Sequence, residues 1–489
     1  MSALRLRLLA GAARQHAPGS AAFRDAVAGE LAAQLNAMPY DVVANEVREL
    51  KMSAEIGSEG LALGRVREVL QPLVDANGSL TNESVPGLIY ARLSLAAFLP
   101  LKPVWVEGLG GYLARHKIDK PDIWNARDFT LPAKGPYSPV RLAVWDSGVD
   151  TKLFAPQVLR TAAGQPLLVA FDKYARPSNQ ALAPIPPELR GKLPQMVQRS
   201  KGFSDLQSNI DSVEASQVKQ WLSSLAPEQY KAAIEEINLA GNYEHGTHVA
   251  GITLAGNPHA RLLVARIEFG HTLKPDPCPS LDLARRDEAN GHTTVAFFKR
   301  HGVRVVNMSW GGSVGDTESE LEKCGIGKTP DERKALAREI YDIGKRGLTA
   351  AMAGAPGILF IASAGNSNSD ASFTESMPAD IVLPNLLTVG AVDRAGDEAG
   401  FTSYGPTVKL HANGYQVESF LPGGTRVALS GTSMAAPQAA NLAGKLLAVK
   451  PTLTPVQLIE LMTRTAEATP DGRRKLMHPN KALAEAKAH

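Results

Sequence analysis

The chain has 489 residues, 44% of them apolar and 21% charged, a balance that suits globular domains and excludes a disordered chain. That length exceeds what one compact domain usually holds, so two units or one domain with long insertions are expected. Lys plus Arg total 52 against 49 for Asp plus Glu, and no block of like charge stands out, which disfavours a nucleic-acid partner.

Near the N-terminus Arg5 and Arg7 precede Leu8, Leu9 and Ala10, as at the start of a secretory signal. Arg14 and His16 interrupt the apolar run too early for one. From about 20 to 115 the patterning is helical. Apolar residues recur three and four apart at Phe23, Val27, Leu31 and Leu35, again through Leu61, Leu63, Val66, Val69 and Leu70, and a further apolar run covers 88–99. Residues 1–130 are therefore assigned to a mainly helical region, an accessory domain or a pro-region. Residues 131–139 hold three prolines and a glycine and read as a linker.

Short apolar strands then alternate with helices over 140–489. The strands are expected at 140–145, 167–171, 261–267, 303–308, 358–362 and 386–392. This order predicts an α/β fold with a parallel sheet covered by helices. Residues 172–241 break the rhythm. They carry Pro184, Pro186, Pro187 and Pro194, then helical segments around Trp221 and Tyr230, and read as an insertion. The uncharged stretch 347–369 is long enough to raise the question of a membrane span. Gly354, Pro356 and Gly357 divide it into a helix end, a turn and a buried strand, so no span is expected. Thr454 and Gln457 form a capping box with Pro455 at the first helical position, opening a helix that runs to Thr465. Cys278 and Cys324 do not make a disulfide framework. One bridge or two separate thiols both fit, and two thiols are expected.

Four segments carry candidate chemistry. Asp146 ends an apolar strand just before Gly148, where the carboxyl edge of a parallel sheet faces the usual site crevice. The plainer reading is a turn residue. His245 is followed by small residues that suit a helix packed tightly on the sheet, with His245 accessible at its start and His248 pointing elsewhere. A zinc helix places two histidines four apart with Glu beside the first. Here they are three apart with Gly beside the first, so no metal is expected. Ser433 stands at the mouth of a helix of small residues, where a serine is most often a cap. That helix end also supplies a backbone N–H and a positive dipole for a developing oxyanion. Asn366 follows a buried strand, as a turn residue or an amide donor.

Taken in order, AVWDSGVD, HGTHVAG, VNMSWGG, ASAGN and SGTSMAAP resemble the successive signatures of the subtilisin-like serine proteases, across roughly 139–485. The resemblance implies that family's three-layer fold and a serine endopeptidase acting on proteins or peptides without a cofactor. It implies that Asp146 holds the imidazole of His245, that His245 is the general base, that Ser433 attacks, and that Asn366 with the Ser433 N–H binds the oxyanion. Ser309, Gly311, Gly312, Ala362 and Gly365 would flank the primary specificity pocket, the glycines letting a substrate strand approach and pair with the backbone. It also favours a secreted or periplasmic setting. A ligase or cyclase that passes the acyl group to an amine, and an inactive peptide-binding scaffold, are the alternatives.

The chain departs from the family pattern in several places. Asp146 and His245 lie 99 positions apart, where many relatives need a few dozen, and the extra length is the insertion. Residues 252–260 leave little room for the calcium loop that many relatives carry, so no metal is expected there. Asp393, Asp397 and Glu398 read as a solvated loop. Trp310 stands where an aliphatic residue is common, as pocket wall or as core. The N-terminal helices do not resemble the family's usual small αβ propeptide.

Overall fold

The computed structural model describes residues 2–81 and 84–488 and divides into two compact units, Met1–Lys120 with Gln198–Ile237 and Pro121–Val197 with Asn238–His489. The division falls at Lys120, ahead of the expected linker, and only the later part of the expected insertion leaves the second unit.

The first unit is helical. Its N-terminal segment folds as α1 (Ser2–Ala13), α2 (Ala21–Ala37), α3 (Tyr40–Ile56), α4 (Glu59–Arg65), α5 (Gln71–Asn77), α6 (Val85–Leu93) and α7 (Lys102–Arg115). Ser20 caps α2 by accepting from the Phe23 N–H, and Val27, Leu31 and Leu35, each four apart, are buried on one face. They meet Val47 and Leu50 of α3, Trp105, Leu109 and Tyr112 of α7, and Leu4 and Leu8 of α1. The signal-like residues are thus built into a helix of the core. The stretch Val85–Arg115 is long and apolar enough to cross a membrane by length and composition, a signal the sequence reading sought elsewhere. Its apolar residues divide between that core, with Leu101, Trp105 and Leu109 buried, and exposed Val85, Leu88 and Ile89.

The second segment of this unit contains the end of α8 (Leu193–Gln207), all of α9 (Val213–Ser223) and the start of α10 (Tyr230–Leu254). The two helical segments expected near Trp221 and Tyr230 are α9 and the front of α10.

The second unit is built on seven parallel strands, β1 (Val140–Asp146), β2 (Leu168–Phe171), β3 (Ala260–Arg266), β4 (Val305–Met308), β5 (Leu359–Ser363), β6 (Leu386–Val392) and β7 (Val408–Asn413). They lie in the order β7-β6-β5-β4-β1-β3-β2, with short extra strands at both edges. Strand β1 is buried on both sides, as a central parallel strand must be. Leu142 and Val144 join one core cluster, Ala143 and Trp145 the other. On the second face lie α11 (Leu281–Arg300) and α13 (Pro330–Ala353), through Phe298 and Met352; α12 (Val314–Lys323) precedes α13. On the first face lies α14 (Thr432–Val449), with α15 (Pro455–Arg464) and α16 (Pro479–Ala488) packed beyond it. The expected capping box at Thr454 and Gln457 is formed.

Two expectations need correction. Residues 131–139 are not a loose linker: the Leu131 N–H donates to Gly256 O at 2.8 Å and the Ser138 N–H to Ala448 O at 2.8 Å. Upstream, Trp124 is buried and its Nε1 donates to Asp393 O at 3.0 Å. Prolines stop regular structure, but an extended strap with satisfied backbone groups packs as well as a helix. The cysteines are not separate thiols either. Cys278 and Cys324 form a disulfide with Cα atoms 6.0 Å apart, because the loop after β3 and the end of α12 converge across 46 positions of chain.

Asn441 of α14 is buried, and its Nδ2 donates to Thr253 O at 2.9 Å and Ala255 O at 2.7 Å, closing the C-terminal end of α10. Asn441→Leu removes both donors and keeps the volume, leaving the buried Thr253 carbonyl without this partner. It should destabilise the protein by about 1–3 kcal/mol, read as a lowered urea midpoint at unchanged slope.

Candidate active site

Asp146 closes β1 and is fully buried. Its Oδ1 accepts from its neighbour's backbone, the Ser147 N–H, at 2.7 Å and lies 2.7 Å from Nδ1 of His245. A carboxylate only accepts, so Nδ1 carries the proton and Nε2 is the basic nitrogen. Oδ2 of Asp146 is buried without a hydrogen-bond partner among the described residues. Burial alone lowers the pKa of His245, but the charge and hydrogen bond of Asp146, joined by the charge of Glu244, outweigh it and hold the pKa above the ordinary imidazole value. The imidazole keeps access to solvent, with 28% of its side chain exposed.

His245 is not at a helix start, as expected, but well inside α10. Pro227–Gln229 opens a short 3-10 turn, and buried Ala233, Ile237 and Ala240 continue the helical spacing without a break. What the small residues after His245 provide is contact with the turn that follows Asp146. A Cβ on Gly246 would lie 2.3 Å from Gly148 O, so only glycine fits. The Gly246 N–H donates to Ser147 Oγ at 3.0 Å, and the Asp150 N–H donates to Thr247 Oγ1 at 3.0 Å. Three successive residues of the helix therefore hold the turn that presents Asp146.

His248 does more than point elsewhere. It is fully buried, its Nε2 lies 2.9 Å from Val427 O, and its own backbone carbonyl accepts from Ser419 Oγ at 2.8 Å. Val417–Phe420 and Arg426–Leu429 form an antiparallel hairpin that leads straight into α14. His248 thereby ties the helix of His245 to the segment that delivers Ser433.

Ser433 is the second residue of α14. Its Oγ donates to Ser309 O at 3.2 Å, while Ser309 Oγ donates to Ser433 O at 3.1 Å and accepts from Asn307 Nδ2 at 2.9 Å. The structure thus brings Ser309 and Ser433 together, and the hydroxyl of Ser433 is turned toward Ser309 rather than bonded to His245. A serine hydroxyl rotates between acceptors. Asn366 lies just past β5, on the exposed side of the same helix mouth. Its Oδ1 accepts from Thr432 N at 2.8 Å and from Thr432 Oγ1 at 2.9 Å, and Thr432 Oγ1 accepts from Gly365 N at 3.1 Å. With the oxygen doubly engaged, the donor end of the amide is turned away from Thr432.

The expected substrate-flanking residues are placed less uniformly. Gly312 pairs with Met377 and Ser313 with Ser376 in a short antiparallel ladder, and a Cβ on Gly311 would meet Met377 O at 2.8 Å. The missing side chain of Gly311 thus admits the chain's own strand. Ala362 is buried inside β5, with its side chain in the core. Gly365 has a positive φ of 103°, which turns the chain out of β5 toward Asn366. Trp310 packs edge-on against Trp145, ring centroids 5.4 Å apart, and belongs with the core.

No group of three or more His, Cys, Asp or Glu that could hold a metal occurs among the described residues. Asp393 Oδ1 accepts from the Ala395 and Asp397 N–H groups in a turn, and Glu398 pairs with Arg474 at 3.3 Å. Ser147, Thr247, Asn307, Ser419 and Thr432 were not among the residues expected from the sequence. Most stand beside one that was, so a search for polar neighbours within each signature would have found them.

The family model described as "Subtilase family" matches residues 138–483. Subtilisin DY of Bacillus licheniformis is 32% identical over 241 residues, which cover 47% of this chain and 73% of that protein. A subtilisin of Bacillus pumilus is 31% identical over 227 residues, 45% of this chain and 70% of that protein. Among solved structures, a cold-adapted subtilisin-like serine proteinase aligns with 73% of this chain and 98% of its own, at 20% identity and a TM-score of 0.41.

The raised pKa of His245 is open to direct measurement. In a Ser433→Ala background, the His245 ring signals followed by heteronuclear NMR should titrate above about 6.5. Adding Asp146→Asn removes the largest opposing charge and should bring the value down, since burial then acts with less to offset it. An unchanged midpoint would assign the shift to another group.

Proposed function

Because the chain belongs to the subtilase family, whose members are serine hydrolases, we propose that it is a serine endopeptidase in which Ser433, His245 and Asp146 act as one unit. The observation that carries this reading is the 2.7 Å bond between buried Asp146 and Nδ1 of His245. That bond fixes the tautomer, so Nε2 is the nitrogen available to a hydroxyl proton. The Ser433 hydroxyl leaves its resting bond to Ser309 O, passes its proton to Nε2 and attacks the scissile carbonyl. The negative charge then forming on the carbonyl oxygen is met by the Ser433 N–H, by the positive end of α14 and by the donor end of the Asn366 amide. The imidazolium, stabilised by Asp146, returns the proton to the leaving amine. Water retraces the route to release the acyl group. Ser309, Gly311, Gly312, Ala362 and Gly365 are assigned to the walls and backing of the substrate channel.

A peptide-library digest read by mass spectrometry tests the reaction, with hydrolysed ends as the expected products and amine adducts as the contrary one. Ser433→Ala and His245→Ala should each abolish nearly all cleavage, and the double variant should lose little more. Additive losses would refute the assignment. Asn366→Ala should lower kcat about a hundred- to a thousandfold with little change in KM.

The pH profile follows from the raised pKa of His245. The neutral ring is the active form, so kcat/KM should fall as pH drops through a value above the ordinary imidazole one. The stability linkage runs the other way. The charged pair with Asp146 contributes below the unfolded imidazole value, and that contribution is lost as pH rises through the raised folded value.

A further inference from the structure

We propose that residues 1–120 are a permanent half of a two-segment unit, held by residues 198–237, so that cutting the backbone near Lys117 leaves a two-chain protein rather than releasing an N-terminal fragment. Packing inside the first unit holds the two segments together, whatever the catalytic role of Ser433.

The two segments share one core. Leu206, Ala215, Val218, Leu222, Leu225, Ala233 and Ile237 of the later segment form a buried cluster, and Met52, Ile56 and Leu61 of the earlier segment pack against it. On α9 the spacing of Ala215, Val218 and Leu222 makes one apolar face. A pair of helices cannot bury such a face alone, and here α3 and α4 cover it.

The contact is close enough to be specific. A Cβ on Gly60 would stand 1.8 Å from Leu225 O, and one on Gly64 would stand 2.6 Å from the Tyr230 Cβ. At Gly60 the backbone of α4 therefore lies directly on that of the α9–α10 turn. Charged groups rim the same seam. Lys219 Nζ lies 3.1 Å from Glu55, and Lys51 Nζ lies 2.9 Å from Glu55 and 3.5 Å from Asp211. Exposed Arg67 and Glu228 pair at 2.6 Å. Such pairs add little energy each but fix the register of the two surfaces.

Chain connectivity supplies the rest. The later segment continues into the second unit at both ends, through α8 and through α10. Its apolar face stays with residues 121–489 whatever happens near Lys117. A departing N-terminal fragment would strip the cover from the first turns of α10, the helix that carries His245. A pro-region that is shed leaves a finished surface behind, and this one would not.

The test uses the whole chain as Ser433→Ala, with a site-specific protease sequence placed in the exposed, irregular stretch 117–120. After cutting, size exclusion and native mass spectrometry should show one species of both fragments, near the 52.0 kDa of the intact chain. Separation of the fragments without denaturant would overturn the proposal. Gly60→Ala in the cut protein should weaken fragment association about tenfold or more, because a backbone contact must open. Gly29→Ala, where an added Cβ meets nothing within 4 Å, should leave it unchanged. Equal association of the two variants would place the joining surface elsewhere and overturn the assignment of this seam.

Discussion

Helix α10 and the turn after β1 meet backbone to backbone at Gly246 and Gly148, with no space for a side chain between them. That approach lets Ser147 and Thr247 bond across the gap, and it sets the distance at which Asp146 and His245 face each other. A larger residue at 246 would separate the two elements before it touched either titrating group. A buried carboxylate beside an imidazole is an expensive arrangement unless geometry holds the pair together. Here the geometry is held by main chain, which has fewer ways to relax than side chains.

The other half of the site hangs from α14. This helix is buried on every side, and its Ala and Gly residues let it lie directly on β1; a Cβ on Gly444 would stand 3.0 Å from the Leu142 side chain. Its first turn is pinned to the loop after β4 by the reciprocal Ser309–Ser433 bonds. Its middle is pinned to the end of α10 by Asn441. With His248 bound to Val427, α10 and α14 are joined at two levels. The two halves of the proposed site therefore share one frame although no hydrogen bond runs between His245 and Ser433.

Much of this was legible in the chain. The six strands read from apolar runs all exist, with ends shifted by a residue or two, because a central parallel strand is apolar on both faces and stands out from its surroundings. Strand β7 was missed, since Lys409 and His411 dilute its apolar run. Phe23, Val27, Leu31 and Leu35 gave α2 through their spacing. The start of α10 was placed at His245, where the small residues begin, whereas the helix runs unbroken from Tyr230 and those residues, Gly246 and Gly251 among them, serve close packing inside it. The disulfide and the pairing of residues 198–237 with the N-terminal helices depend on contacts between distant segments, and local periodicity carries no trace of those. Asp146, His245, Ser433 and Asn366 were proposed from their signatures. Their polar supports were overlooked, since a serine or threonine beside a glycine reads as an ordinary turn residue.

The position of β1 also governs how the molecule is made. Val140 pairs with Ala260 and Leu142 with Val305, so the central strand has no sheet neighbour until just over half of the polypeptide has left the ribosome. Closing loops of that length comes before any pairing energy is gained, which makes folding slow and leaves β-edges uncovered meanwhile. Much of the nascent chain that must wait is helical, and α2, α3 and α7 gather a local core from contacts available early. The core shared by these helices is available while the sheet is still incomplete, and the barrier that delays assembly of the sheet also slows its loss once formed.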